Sequence, residues 1–100
     1  MNDTIGRRVQ NGFYAPRGAD VLLIPEPHWI YGLSGTTHGS PYNFDTHVPL
    51  IFMGRGIKPG RYNKAVSAND VAPTLATLLD VEIPSGSSGR VIDEMLAAGF

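Results

Sequence analysis

The sequence predicts an α/β fold, and three observations carry that prediction. Residues 48–53, Val-Pro-Leu-Ile-Phe-Met, are the most apolar run in the chain and show no alternation, the pattern of a strand covered on both faces. A second short run, Val21-Leu22-Leu23-Ile24, reads as another strand. Beyond position 69 the apolar spacing turns helical, with Val71, Leu75, Leu78 and Leu79 on one stripe. A strand buried on both faces needs neighbouring strands and covering layers. Two strands and two or three short helices do not supply them, so residues 1–100 are expected to be one portion of a larger domain, with no separate domains inside it.

The elements follow in order. Ile5, Val9 and Phe13, spaced by four, predict a helix over 3–13 that ends near Asn11-Gly12. Asn2-Asp3-Thr4 matches a glycosylation triplet, but at the start of a helix it reads as a cap. Residues 15–19 form a turn, and the strand at 20–24 is closed by Pro25 and Pro27. From 25 to 47 neither period is present, only Gly, Pro, Ser, Thr and aromatics, which is the composition of a long functional loop. Pro49 removes one ladder donor, which suits the start of the second strand. Residues 54–62 are a turn-rich connector. Asp70 is the expected N-cap of a helix in which Pro73 takes the third position, where a missing N–H costs little. Asp80 ends that helix, 83–89 is a flexible Ser/Gly loop, and 90–98 is a short helix or turn.

Composition removes several function classes. The formal net charge is -1 and the eight basic residues are spread singly or in pairs, which argues against a nucleic-acid or membrane-surface binder. No apolar run reaches membrane-span length. Met1 to Gln10 lack the apolar core of a signal peptide. There is no cysteine, hence no disulfide and no thiolate metal site.

The chemistry concentrates just upstream of 48–53. His38 lies between the small residues Thr37 and Gly39, and neutral imidazole is a common zinc ligand. A histidine hydrogen-bonded to loop backbone fits the same spacing, and no H-x-x-x-H, D-x-D or H-E-x-x-H pattern supplies partner ligands. Asp45 and His47 read as support for the loop: a carboxylate that accepts loop N–H bonds and orients an imidazole. His28, beside Trp29, reads as a packing or surface residue. Ser40, Thr36 and Thr37 have nucleophilic hydroxyls but no activating base or G-x-S-x-G elbow. Walker A and dinucleotide fingerprints are absent.

The block Gly35-Thr36-Thr37-His38-Gly39-Ser40-Pro41-Tyr42-Asn43-Phe44-Asp45-Thr46-His47, running on into Val48-Pro49-Leu50-Ile51-Phe52, resembles the C-terminal block of the alkaline phosphatase superfamily. The likeness is nearest to bacterial zinc-dependent phosphomonoesterases, close to the type I phosphodiesterase/nucleotide pyrophosphatase branch. Asn11-Gly12-Phe13 with Arg17-Gly18-Ala19-Asp20-Val21 is similar to the segment that precedes this block. Asn69-Asp70-Val71-Ala72-Pro73-Thr74-Leu75, Leu78-Leu79 and Pro84-Ser85-Gly86 are similar to the closing helix and tail.

The resemblance implies a mixed-sheet sandwich with flanking helices, of which this chain is the C-terminal part. It implies two zinc ions held by Asp and His side chains, and a Thr or Ser nucleophile that forms a covalent phospho-enzyme. It also implies small-molecule phosphate esters as substrates and an exported parent, periplasmic or extracellular. By motif only His38 matches a metal ligand; Asp45 and His47 hold the loop. The nucleophile and the other ligands have no counterpart in the sequence, so the isolated chain is expected to be an inactive fragment. The rival readings are a sulfatase or metal-dependent phosphomutase with the same sheet, and a non-catalytic α/β binding or interaction module.

Overall fold

The computed structural model describes residues 3–99. They form two compact units, Met1–Pro49 and Leu50–Phe100. The expected capping role of Asn2 lies outside the described residues.

In the first unit, α1 spans Asp3–Gly12. Ile5 and Val9, one turn apart, are its half-buried pair. Phe13 folds back instead of continuing the stripe. Its ring packs on Gly18, where a Cβ would come within 2.5 Å of the ring and 3.0 Å of the Tyr14 carbonyl oxygen. A side chain at this position would push the Phe13 ring aside. The turn between them is closed by the Arg17 N–H to the Tyr14 carbonyl (3.0 Å), with the Arg17 guanidinium 5.4 Å from the Tyr14 ring centre. Within the expected loop 25–47 the structure adds a one-turn helix, α2 (Asn43–Thr46). The Asp45 and Thr46 N–H groups both reach the Tyr42 carbonyl at 3.0 Å. A single turn carries too few residues to show a period, which is why the sequence did not reveal it.

The two segments predicted as strands have no ladder. Among the described residues, no hydrogen bond between main-chain groups engages 20–24 or 48–53. Val21, Leu22 and Leu23 are exposed, as are Ile51 and Met53, at 86% and 97%. The β pairing among the described residues is one isolated antiparallel bridge, Ile57 with Leu96. It is flanked by Lys58 N–H to the Met95 carbonyl and Ala97 N–H to the Gly56 carbonyl, both 2.8 Å. A strand is stabilised by its neighbours, and these two runs find none among the described residues.

In the second unit a 3-10 turn, Ala68–Asp70, leads into α3, Val71–Leu78. Asp70 precedes the helix as expected, but its side chain does not cap it. Oδ2 accepts the Ser67 N–H (2.8 Å) and Oδ1 accepts the Arg90 N–H (2.8 Å). The carboxylate thus ties two segments together. The buried face of α3 also differs from the leucine stripe. Pro73, Thr74 and Ala76 are buried, while Leu75 and Leu79 are 42% and 69% exposed. Polar anchoring selects that face. Thr74 is fully buried; its hydroxyl donates to the Asp70 carbonyl (2.6 Å) and accepts the Ile92 N–H (3.0 Å). Ile92 and Met95 complete the core.

The helix ends in a Schellman arrangement. The Val81 N–H reaches the Ala76 carbonyl (3.0 Å) and the Asp80 N–H the Thr77 carbonyl (3.3 Å), with Asp80 at φ +53°. The expected flexible loop is pinned at its far end. A Cβ on Gly89 would lie 2.1 Å from the Asn69 carbonyl oxygen and 2.8 Å from the Asp70 Cα. Asn69 Nδ2 also donates to Ser88 Oγ (3.2 Å). Beyond it, the expected helix or turn at 90–98 is a 3-10 turn, Asp93–Met95. Arg90 clasps Glu94 through two 2.9 Å hydrogen bonds and donates to the Ala65 carbonyl (3.3 Å). This pair holds the Glu94 carboxyl down to about 2.

Candidate functional site

The loop that carries His38 belongs to the first unit, and a backbone-to-side-chain clamp closes it between residues 40 and 45. Gly39 at φ +99° reverses the chain after His38, a conformation that an L side chain rarely adopts. The Ser40 N–H then points to Asp45 Oδ2 at 2.6 Å. That hydrogen bond holds the Asp45 carboxyl below its ordinary value, and the charge of nearby His38 acts in the same direction. His38 itself is exposed. Its ring makes no hydrogen bond among the described residues; the Thr37 hydroxyl donates to the His38 carbonyl (3.5 Å).

The structure therefore brings His38, Ser40 and Asp45 into one turn. It does not bring His47 there. The His47 N–H caps α2 by reaching the Asn43 carbonyl (2.9 Å), and its exposed imidazole has no hydrogen-bond partner among the described residues. His47 serves through its backbone, and the Asp45 carboxylate, engaged by Ser40, does not orient it.

Two further segments reach this loop. Arg8 of α1 donates to the Pro41 carbonyl and to Asn43 Oδ1 (3.1 Å). The Tyr42 hydroxyl donates to the Pro25 carbonyl (2.8 Å). The His28 ring stacks on Phe44 with centroids 4.4 Å apart, and Tyr42 lies against the same ring at 5.7 Å. The sequence presents Arg8 only as one of the scattered basic residues and His28 as a packing or surface residue. Nothing in local spacing reports a contact across 33 positions.

The second unit has a groove of about 440 Å³ floored by Phe52, Ile57, Ile92 and Met95 and edged by Lys58, Arg61 and Lys64. It holds no histidine or carboxylate, so the chemistry stays with the His38 loop.

Comparison with known proteins adds what geometry does not. The alkaline phosphatase PhoV of Synechococcus elongatus is 42% identical over 93 residues, covering 92% of this chain and 17% of PhoV. The alkaline phosphatase PafA of Elizabethkingia meningoseptica is 38% identical over 96 residues, 94% of this chain and 18% of PafA. The chain belongs to the alkaline phosphatase superfamily. A protein of Myroides odoratus named as a calcium-transporting ATPase is 40% identical over 92 residues, 89% of this superfamily member and 17% of that relative. No family model matches the chain, and no solved structure matches it. The chain spans about a sixth of the length of these curated relatives.

Alkaline phosphatase chemistry in this superfamily implies zinc, and the residues here do not by themselves fit it. Structural and catalytic zinc needs three or four converging N, O or S donors. Among the described residues no group of three His, Cys, Asp or Glu side chains could hold a metal ion. Asp45, the carboxylate nearest in the loop, already accepts the Ser40 N–H through Oδ2. His38 is left as a single free donor. No helix among the described residues is long and apolar enough to cross a membrane.

Proposed function

We propose that this chain is part of the catalytic domain of a metal-dependent phosphoester hydrolase, with His38 as one zinc ligand and small-molecule phosphate esters as substrates. The observation that carries the reading is the 42% identity to PhoV over 92% of the chain. A match of that extent leaves at most eight residues uncovered at either end, so it includes the His38 loop. In this reading the other ligands and the Thr or Ser nucleophile come from sequence outside these residues, as do the strands that pair with 20–24 and 48–53 in a mixed sheet. The chain's own contribution is positional. Gly39 turns His38 outward, the Asp45 carboxylate clamps the turn, and the ring nitrogens stay unpaired and able to take a metal.

The test uses an intact relative such as PhoV. Substituting alanine for the histidine aligned with His38 should lower p-nitrophenyl phosphate turnover by orders of magnitude and reduce bound zinc measured by mass spectrometry. Near-normal turnover with unchanged zinc content removes His38 from the metal site. The isolated chain should show no zinc-dependent turnover of p-nitrophenyl phosphate or p-nitrophenyl sulfate. Measurable turnover of either by pure material overturns the fragment reading.

A further inference from the structure

Residues 26–29 carry the marks of a type II turn. Pro27 stands at the second position, the Trp29 N–H reaches the Glu26 carbonyl (3.1 Å), and the third position has φ +67°. That third position favours glycine or asparagine, yet it is His28. Outside glycine, Asp80 at the end of α3 is the other described residue with positive φ. A side chain in this conformation carries a backbone cost relative to glycine, which a contact outside the turn can offset. The contact is the Phe44 ring, 4.4 Å away and inclined by 21°.

Phe44 sits in α2 beside Asp45, the residue that clamps the His38 turn through Ser40. The chain is fastened a second time just before the turn, where the Tyr42 hydroxyl donates to the Pro25 carbonyl, and Tyr42 stacks on the same Phe44 ring. A histidine in place of glycine makes the turn itself less favourable but adds a flat ring facing α2. We propose that His28 is a positioning residue: its stack on Phe44 latches the 26–29 turn to α2 and so fixes the Asp45–Ser40 clamp that presents His38. The assignment rests on the reading of the His38 loop as the site. The latch itself is a physical claim about the loop, testable apart from activity.

The experiment is amide hydrogen exchange by NMR on the full 100-residue chain, reading the Ser40 N–H, with the Ile92 N–H of the other unit as an internal control. His28→Gly suits the turn better but removes the ring. Phe44→Leu removes the other half of the stack and leaves the turn alone. Phe44→Tyr keeps a ring in place. The latch requires Ser40 exchange to speed up ~2–12-fold in both His28→Gly and Phe44→Leu, the range that corresponds to one aromatic pair. It also requires Phe44→Tyr to retain the slow exchange and the upfield ring-current shift of the His28 protons. Unchanged Ser40 exchange in His28→Gly overturns the proposal, since a turn residue with no wider role gives that result. Equal losses in Phe44→Tyr and Phe44→Leu overturn it too. A dispensable His38 in the intact relative would sink the functional reading, while faster Ser40 exchange in both ring-removing variants would leave the latch standing.

Discussion

Thr74→Val changes one atom group in the most enclosed side chain of the structure. Threonine and valine have nearly the same shape, so no cavity opens, and their helix propensities are close. What disappears is a hydroxyl with two engagements: donation to the Asp70 carbonyl at 2.6 Å and acceptance of the Ile92 N–H at 3.0 Å. The second matters more. Ile92 is 3% exposed, so its orphaned N–H finds no water, and a buried unsatisfied donor costs ~1–3 kcal/mol. The Asp70 carbonyl adds an ordinary hydrogen bond of ~0.5–1.5 kcal/mol. Together these give a loss of about 1.5–4.5 kcal/mol, a large part of the stability that a domain of this size commands. Urea denaturation of the wild type and of Thr74→Val measures it. Exchange of the Ile92 amide should accelerate by at least tenfold, because about 1.4 kcal/mol corresponds to that factor. Thr74→Ser keeps the hydroxyl and removes one methyl, worth ~0.8 kcal/mol. A valine variant as stable as wild type, or more stable than the serine variant, refutes the claim that polar anchoring chooses the buried face of α3.

Other expectations follow from the same unit. Gly89→Ala drives a methyl into the Asn69–Asp70 backbone and should lower stability by ~1–3 kcal/mol in denaturant unfolding; a neutral result would show that the two strands of backbone separate freely. Asp80→Gly replaces a side chain at φ +53° by the residue that this helix terminus favours, and should raise stability by ~0.5–1 kcal/mol, seen as a Tm increase of a few degrees. Glu94 has its folded value depressed to about 2 from an ordinary 4.5. Its contribution is therefore present above about pH 4.5 and is lost as pH falls towards 2. Acid titration of the wild type against Glu94→Gln should show a steeper decline for the wild type in that window, and parallel curves would remove the Arg90 clasp as its cause.

What was legible in the sequence and what was not divide along sequence separation. α1 and α3 were readable because a helix satisfies its own backbone, and Asn11-Gly12 and Asp80 supplied local stop signals. Gly89 was visible only as part of a flexible loop, since its need for glycine comes from the Asn69 carbonyl, which lies on the far side of α3 in the sequence. The buried face of α3 was misread for a related reason: leucines at helical spacing usually face the core, and here Thr74 and Pro73 do. A hydroxyl that bridges Asp70 and Ile92 leaves no mark in a hydropathy pattern. The runs at 20–24 and 48–53 show the limit most clearly. Their apolar pattern describes a partner-dependent state, and the described residues contain no partner. At the candidate site the sequence pointed to His38 and Asp45 by their residue types. Arg8, Tyr42 and His28 became visible only when folding brought distant segments to the same loop.

The bare segment at 48–53 has a consequence for handling this molecule. Leu50, Ile51 and Met53 lie open to solvent, with main-chain donors and acceptors that bond to no other main-chain group among the described residues. An apolar, uncharged, extended stretch of this length is a template on which an identical stretch from another copy can hydrogen-bond. The pure chain is therefore expected to gain thioflavin T fluorescence as its concentration is raised, measured against a dilute sample.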